Sequence, residues 1–307
     1  MDVVTGAFGY IGKYIARALL DQGHRVCTIT THPGKPNPFG KQVEAFQYSF
    51  DNPRQLVETL RGTSTLYNTY WIRFPYDGQT FETALAKTRI LFECARKAGV
   101  GRIIHISVTQ ASIHSALPYY RGKGIQEAYL KESGIPFSII RPTLVFGKED
   151  ILVNNIAWLI RRFPVYPIFG SGSYRVQPVF VEDLARIAIE YSKGPGNLAI
   201  DAIGPEVFTF EQFVRLIALK TGRKVLVVKT SPRIGIFLGK LVGLFLRDVI
   251  LTDDELKGLM SELLTSTQAP NAPTRFTDWL EQNSATLGSA YSSEIARHFR
   301  WKASTIS

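Results

Sequence analysis

Short apolar runs and longer amphipathic stretches alternate along the first half of the chain. The apolar runs have the length of buried strands and cover residues 3–5, 24–30, 43–49, 63–70, 102–107 and 136–140. The amphipathic stretches between them predict helices over 10–21, 53–61, 78–97 and 119–133. Strands that alternate with helices in this way predict a parallel sheet wrapped on both faces by right-handed crossovers. The pattern therefore predicts the α/β class, with a doubly wound parallel sheet.

The rhythm changes after residue 141, where proline and glycine become frequent and strict alternation ends. Short strands are predicted at 177–180 and 197–202, and helices at 182–192 and 209–221. Thr209 is a suitable N-cap for the last of these helices, because Gln212 follows at the capping-box position. We predict a doubly wound core over residues 1–145 and a smaller C-terminal α+β substrate lobe over 146–307, with some segments returning to the core. Such a lobe is expected over the C-terminal edge of the sheet, where this kind of fold builds its ligand crevice.

Two stretches late in the chain carry mixed signals. Residues 234–246 form an apolar run of 13 residues with Gly235, Gly239 and Gly243 four apart, so one face of the predicted helix has no side chains. We interpret it as a core helix in close packing, with a peripheral membrane-surface contact or a partner helix as the alternatives. The run is shorter than the ~20 residues that span a bilayer, so no transmembrane segment is predicted. Residues 278–301 are predicted to be a helical tail.

The composition is that of a globular protein with a basic surface. The 307 residues carry a formal net charge of +10, shared between both halves of the chain, and contain no basic run of five. A surface of this kind favours anionic ligands, and it argues against a nucleic-acid partner. The two cysteines, Cys27 and Cys94, have the spacing of neither metal ligands nor a disulfide framework. Because buried thiols suit a reducing compartment and the first strand leaves no room for a signal peptide, we expect a cytoplasmic protein without a metal site.

Three glycines spaced three apart join the first strand to the first helix. Gly6 can supply the tight turn, Gly9 lets backbone amides approach a phosphate, and Gly12 lets the helix pack closely on the strand. The helix also directs the positive end of its dipole at the same point. This arrangement indicates a dinucleotide pyrophosphate site, with a tight turn that binds no ligand as the alternative. The neighbouring residues that we expect at the cofactor are Phe8, Tyr10 and Ile11.

The end of the second strand bears on the choice between NAD and NADP. In dinucleotide folds an acidic residue here binds the ribose hydroxyls of NAD, whereas a basic residue nearby accommodates the phosphate of NADP. This chain has Thr31 and His32 at that position, with Lys35 a little further on. We therefore expect NADP, with NAD as the alternative.

Candidate acid–base residues follow the fifth strand. Tyr119 and Lys123 lie four apart at the start of a predicted helix, which places them on one face. There the ammonium can stabilise a tyrosinate, so that the phenol serves as proton donor or acceptor for a carbonyl/alcohol pair. Ser107 and Thr109 end the fifth strand, and alternation puts both hydroxyls on one face. Either hydroxyl can hydrogen-bond a substrate oxygen beside the tyrosine, or it can satisfy the backbone of the turn.

These motifs together resemble the short-chain dehydrogenase/reductase superfamily, in its extended and atypical branches. The matching pieces are the glycine turn, a Ser or Thr after the fifth strand, and the Tyr119-x-x-x-Lys123 pair. The segments 141–150 and 177–184 look like the atypical group that contains the nucleotide-binding accessory subunit of respiratory complex I. The resemblance covers about residues 1–215 and implies an NAD(P)-binding Rossmann fold. The implied cofactor contacts, besides the glycine turn, are Thr31, His32, Ser49, Thr69, Lys123 and Pro142, and the implied catalytic residues are Tyr119, Lys123 and either Thr109 or Ser107.

By this resemblance the protein is an NAD(P)H-binding oxidoreductase or epimerase-like enzyme, acting on a small-molecule carbonyl, alcohol or nucleotide sugar. The alternative is a non-catalytic protein that keeps NADP(H) as a structural or sensing ligand, within an oligomer or for a partner complex. Two departures from the family pattern support the alternative. Only nine residues separate Thr109 from Tyr119, and the fourth strand ends in the bulky sequence Asn68-Thr69-Tyr70-Trp71.

Overall fold

The computed structural model describes residues 1–298, which divide into two compact units. The first unit comprises Met1–Pro142 and Val181–Asp201, and the second comprises Thr143–Phe180 and the described chain from Ala202 onward. Every residue proposed above for catalysis or cofactor binding belongs to the first unit.

Strands and helices are numbered here in chain order within residues 1–298. The strands are β1 (Asp2–Thr5), β2 (Val26–Thr30), β3 (Val43–Gln47), β4 (Thr65–Asn68), β5 (Arg102–Ile106), β6 (Phe137–Pro142), β7 (Leu144–Phe146), β8 (Val165–Phe169), β9 (Arg175–Val176), β10 (Pro178–Phe180), β11 (Leu198–Ala202), β12 (Phe208–Thr209) and β13 (Leu226–Thr230). The helices are α1 (Tyr10–Asp21), α2 (Pro53–Leu60), α3 (Phe81–Ala98), α4 (Pro118–Glu132), α5 (Ile151–Arg162), α6 (Val181–Glu190), α7 (Phe210–Lys220), α8 (Pro232–Leu246), α9 (Asp253–Met260), α10 (Phe276–Asn283) and α11 (Glu294–His298).

The first unit is built on one sheet, with strand order β11-β6-β5-β4-β1-β2-β3. From β6 to β3 each strand runs parallel to its neighbours. Helix α1 packs against α6, whereas α3 packs against both α2 and α4. The doubly wound parallel sheet predicted from the alternation is thereby confirmed. Because β5, β4, β1 and β2 are neighbours, their carboxyl ends lie side by side, and the candidate site residues follow those ends.

The strands of this sheet are recognisable in the sequence because helices cover both of its faces. All five residues of β2 are buried, and Val3 and Val4 of β1 are fully buried. A parallel strand covered in this way has a continuous apolar run rather than an alternating one. Ile29, Leu66 and Ile103 join Leu91 of α3 in the same core.

The second unit has an aromatic core and short strand pairs. The ring of Phe276 stacks on that of Phe213 at 4.7 Å between centroids, and Phe146 meets Trp279 at 5.2 Å. Strand β7 pairs with β10 and β8 with β13, both in parallel, whereas β9 and β12 are antiparallel. The predicted capping box of α7 is confirmed, since the Gln212 amide donates to Thr209 Oγ1 at 3.2 Å and the Thr209 amide donates to Gln212 Oε1 at 2.9 Å.

The prediction of one helical tail over residues 278–301 is wrong. Helix α10 ends at Asn283 and α11 begins only at Glu294, while residues 299–301 lie outside the described part of the chain. Gly288 lies between the two helices with φ at +68°, and a Cβ there would come within 2.4 Å of the Trp158 amide nitrogen. The backbone therefore makes a close approach to α5 at the point where a continuous helix was expected.

The interpretation of residues 234–246 as a core helix also needs correction. Two glycines of α8 make close contacts: a Cβ on Gly235 would overlap the Phe169 ring at 1.9 Å, and one on Gly243 would lie 2.6 Å from the Asp248 carbonyl oxygen. A Cβ on Gly239 would meet nothing within 4 Å among the described residues. Several large apolar side chains on other faces are exposed, including Phe237 at 66% and Phe245 at 88%. Helix α8 is thus a surface helix with part of its glycine face in close contact.

Candidate nucleotide-binding site

The glycine turn after β1 is shaped by close backbone contacts. Gly6 adopts φ at +65°, a conformation that favours glycine, and the Gly9 amide donates to the Gly6 carbonyl at 2.8 Å. A Cβ on Gly12 would lie 2.4 Å from the same carbonyl oxygen, so α1 reaches the turn only because residue 12 lacks a side chain. Gly9 is the N-cap of α1, and the first turn of the helix carries no carboxylate. The N-cap supplies no side-chain hydrogen bond, and the turn fits a dinucleotide pyrophosphate.

The end of β2 presents polar, uncharged or basic side chains to solvent. Thr31 and His32 are both exposed, and the His32 amide donates to Thr30 Oγ1 at 3.1 Å, which fixes the turn. Between Val26 and Val43 the sequence contains no Asp or Glu. A phosphate on the adenosine ribose would therefore meet no carboxylate in this segment.

A hydrogen-bond network joins the ends of β1 and β4. Thr5 Oγ1 donates to Asn68 Oδ1 at 3.2 Å, and the Thr69 amide donates to Thr5 Oγ1 at 2.8 Å. Thr69 Oγ1 also donates to the Thr5 carbonyl at 2.5 Å, and it lies 3.6 Å from the position of a Cβ on Gly6. The structure thus brings Thr69 to the glycine turn, as the predicted cofactor role requires. Ser49, by contrast, lies just after β3 and donates its hydroxyl to the Gln47 carbonyl at the end of that strand at 3.3 Å.

Aromatic rings cover the region beyond β4. The indole of Trp71 stacks on Phe81, with centroids 5.5 Å apart, and meets the ring of Tyr119 edge-on at 6.2 Å. Gly122 makes this approach feasible, because a Cβ there would lie 2.5 Å from the Trp71 ring. The indole nitrogen of Trp71 is buried without a hydrogen-bond partner among the described residues. These rings form an apolar wall beside the phenol that we expect to act as the acid or base.

Lys123 lies beneath that wall, with only 3% of its surface exposed. Its Nζ donates to the Ile106 carbonyl at 2.8 Å and lies 5.3 Å from the centroid of the Trp71 ring, in a cation–π contact. Burial lowers the pKa of Lys123 to about 7, an effect that the nearby Glu127 carboxylate opposes. At neutral pH this side chain therefore stands near the balance between ammonium and amine.

Glu127 is a site residue that the sequence reasoning missed. It is buried, it forms a two-pronged ion pair with Arg141 at 2.8 Å and 2.5 Å, and it accepts the Ser107 hydroxyl at 2.6 Å. Its position four residues after Lys123, on the same helical face, was the signal that could have identified it. Ser107 is therefore hydrogen-bonded to a buried carboxylate.

Thr109 and Pro142 are brought together at the ends of β5 and β6. The Thr109 amide donates to the Pro142 carbonyl at 3.1 Å, and Thr109 is fully buried. Of the two predicted hydroxyls, Ser107 thus has a carboxylate partner, whereas Thr109 is held by its backbone beside the proline that we expect near the cofactor.

Fold and site together define the class of this part of the molecule. Residues 6–151 match a family described as NAD(P)H-binding, and this stretch contains the whole glycine turn and the Tyr119–Lys123 pair. The first unit therefore contains an NAD(P)H-binding domain of the Rossmann type, as predicted.

Particular relatives extend the similarity beyond that domain. The chain is 26% identical over 280 residues to the mitochondrial NADH dehydrogenase (ubiquinone) 1 alpha subcomplex subunit 9 of Rattus norvegicus. The aligned region covers 87% of this chain and 73% of that protein. The chain is also 25% identical over 226 residues to the ceramide reductase of Caulobacter vibrioides, and this alignment covers 72% of this chain and 70% of that protein. The predicted resemblance to the complex I subunit group is thereby confirmed.

A solved structure shows the same fold. The NADPH-dependent quinone oxidoreductase of Escherichia coli, solved with NADPH, superposes with a TM-score of 0.75 at 19% identity, over 92% of this chain and 99% of that chain. At this level of identity the likeness concerns the fold alone.

Proposed function

We propose that this protein is an NADPH-dependent reductase of the short-chain dehydrogenase/reductase type that acts on an apolar carbonyl compound. One arrangement carries the proposal: Tyr119 and Lys123 share a face of α4, and both contact the indole of Trp71. Trp71 follows Thr69 by two residues, and Thr69 touches the glycine turn. A short run of contacts inside one unit thus joins the acid–base pair to the dinucleotide turn.

Each residue has a definite part in this reaction. When bound, NADPH supplies the hydride that adds to the carbonyl carbon. Tyr119 donates its phenolic proton to the carbonyl oxygen, so the substrate gains a hydride and a proton and leaves as the alcohol. Lys123, as ammonium, stabilises the tyrosinate that remains, and the Glu127 carboxylate favours that ammonium form. The family resemblance gives the contact with the substrate oxygen to either Thr109 or Ser107, and the Ser107 hydroxyl donates to Glu127.

The choice of NADPH over NADH is supported by the end of β2. Thr31 and His32 are exposed there, and the segment between Val26 and Val43 lacks a carboxylate. A 2′-phosphate at this point escapes the like-charge repulsion that an acidic residue would impose.

The apolar class of substrate is supported by the wall of Trp71 and Phe81 beside Tyr119. Aromatic side chains bind apolar groups because the contact buries apolar surface of both partners. A sugar would also need polar side chains to bind its hydroxyl groups. One of the similar proteins is named a ceramide reductase, after an apolar substrate. We therefore favour a lipid-like or aromatic carbonyl over a nucleotide sugar.

The experiment is a turnover assay with a matched pair of variants. Wild type, Tyr119→Phe and Tyr129→Phe are mixed with NADPH and a panel of aliphatic ketones, aromatic ketones and quinones, and loss of NADPH absorbance is followed. We expect Tyr119→Phe to lower kcat by about a hundredfold or more while NADPH still binds. Tyr129→Phe removes a phenol from the same helix outside the site and should retain activity. Undiminished turnover by Tyr119→Phe would overturn the assignment.

A second candidate function is retention of NADPH without turnover, as part of a partner complex. The observation that favours it is the cover of Trp71 over Lys123, which leaves 3% of the lysine exposed. A lysine shielded in this way reaches a nicotinamide ribose only after the indole has moved. This function predicts that NADPH stays bound through purification and that no carbonyl of the panel oxidises it. Turnover that is lost in Tyr119→Phe would exclude it.

A further inference from the structure

Helix α8 carries three different stripes along its length. Residues seven apart on a helix lie nearly above one another, so Ile234 with Leu241, and Phe237 with Leu244, form one apolar band. The exposed fractions are 56% for Leu241, 66% for Phe237 and 77% for Leu244, and Phe245 extends the band at the end of the helix. The glycines four apart form a second stripe, and Gly235 on that stripe packs against Phe169.

The third stripe is basic and borders the apolar band. Arg233, Lys240 and Arg247 follow one another at intervals of seven, and all three are exposed. Arg233 directly precedes Ile234 of the band and Lys240 directly precedes Leu241, whereas Arg247 is the C-cap of the helix. Their surroundings in the sequence have the same sign, since the segment 212–247 contains eight Lys and Arg and no Asp or Glu. The segment that carries the exposed apolar side chains is therefore locally basic, within a chain whose net charge of +10 is shared between both halves.

This combination identifies the chemistry of what covers the face. Exposed apolar side chains of this size mark a contact with another molecule or with a membrane. A second copy of the chain would bring one basic stripe against another, because a twofold interface uses the same patch on both partners. An anionic lipid surface offers acyl chains for the apolar band and negative headgroups for the basic stripe.

The mode of contact follows from the length of the helix. Helix α8 has 15 residues, and none of the helices in the part of the chain that the structure describes has the length and apolarity needed to cross a bilayer. We propose that α8 lies in the plane of a membrane surface rich in anionic lipid, with Phe237, Leu244 and Phe245 inserted at the level of the headgroups. This surface belongs to the second unit and shares no residue with the candidate nucleotide site.

Vesicle sedimentation with the full chain tests the proposal. Wild type is mixed with vesicles of phosphatidylcholine alone, or with about one quarter phosphatidylglycerol, at low and high salt. We expect binding to the anionic vesicles that weakens at high salt, and weak or undetectable binding to the neutral ones. Phe245→Ser should lower the partition coefficient at least about tenfold, and Arg233→Glu with Lys240→Glu about fivefold or more per residue. Thermal unfolding of all variants, followed by circular dichroism, serves as the test that they are folded.

Matched controls and a competing outcome complete the test. Ile113→Ser removes an exposed apolar side chain of the first unit, and Lys97→Glu reverses a surface charge there, so both should partition like wild type. Equal partition of Phe245→Ser and wild type would overturn the proposal. So would a chain that ignores anionic vesicles but forms dimers in sedimentation velocity that Phe245→Ser abolishes, because the face would then be covered by a second copy.

Discussion

At the residue scale, Glu127 links the stability of the first unit to its chemistry. Its carboxylate accepts hydrogen bonds from Arg141 and Ser107, and its charge acts on Lys123 one helical turn away. A buried carboxylate with these partners is retained only while its neighbours neutralise it. Substitution of Arg141, its ion-pair partner, should therefore lower the free energy of unfolding.

Removal of Arg141 should expose this dependence. Arg141→Met leaves Glu127 buried without its counterion, so we expect a loss of about 3–5 kcal/mol in the free energy of unfolding at pH 7. The control is Arg89→Met, which breaks a pair with Glu93 whose side chains are 67% and 53% exposed. That exposed pair should contribute less than about 1 kcal/mol. Urea unfolding of both variants gives the comparison, and equal losses would refute the role assigned to the buried pair.

Lys123 should make stability depend on pH. Its pKa in the folded protein is about 7 against an ordinary value of 10.5, so between these values the unfolded chain binds one proton more. The free energy of unfolding should therefore rise with pH in this window, by about 1.4 kcal/mol per pH unit. Below the window Lys123 is protonated in both states, so it should add no pH dependence. Urea unfolding of wild type and Lys123→Met at several pH values isolates the effect as a difference. A difference that stays constant from pH 7 to 9 would show that the pKa is not lowered.

At the scale of elements, the junction of β1 and α1 depends on a close contact between helix and backbone. Gly12→Ala would place a methyl group 2.4 Å from a backbone oxygen, and since backbone cannot rotate away, helix and strand must separate. We expect a loss of about 1–3 kcal/mol in the free energy of unfolding and a weakened affinity for NADPH. Gly194→Ala is the control, because its Cβ would meet nothing within 4 Å and should cost less than about 0.5 kcal/mol. Thermal unfolding with and without NADPH measures both effects.

Elements specified by local signals were predictable, and those decided by distant contacts were not. The Thr209–Gln212 capping box and the turn at Gly6 depend on residues within one turn of the chain, and both appear as predicted. The glycines of α8 correctly indicated close packing on one face, but spacing cannot tell whether a neighbour covers the opposite face. The break before α11 depends on the approach of Gly288 to α5, about a hundred and thirty residues earlier in the chain, which leaves no local signal.

The candidate site was predictable for a similar reason. The glycine turn, Tyr119 and Lys123 occur at fixed spacings within one strand, turn or helix, so a motif identifies them. The contact of Trp71 with Lys123 joins the segment after β4 to α4, and the ion pair of Arg141 with Glu127 joins β6 to α4. Such contacts arise from the sheet order and require the structure.

At the scale of the whole molecule, the two proposed functions belong to different units. The first unit contains the NAD(P)H-binding domain, and the second carries the basic, apolar surface of α8. The two proposals would be connected if the substrate were a lipid-like carbonyl compound, because α8 would then hold the protein at the membrane surface that contains the substrate. The two proposals can nevertheless fail separately, since one is tested by NADPH oxidation and the other by vesicle binding.

The most direct test of the central claim is a fluorescence titration of NADPH and NADH with the wild-type full chain, Gly12→Ala and Thr31→Asp. We expect saturable enhancement of nicotinamide fluorescence in wild type, with tighter binding of NADPH than of NADH. Thr31→Asp should lower the affinity for NADPH at least about tenfold and leave the affinity for NADH unchanged, because a carboxylate would then face the 2′-phosphate. Gly12→Ala should lower the affinity for both coenzymes. The claim would be contradicted if wild type bound neither coenzyme, or if a folded Gly12→Ala variant bound both as tightly as wild type.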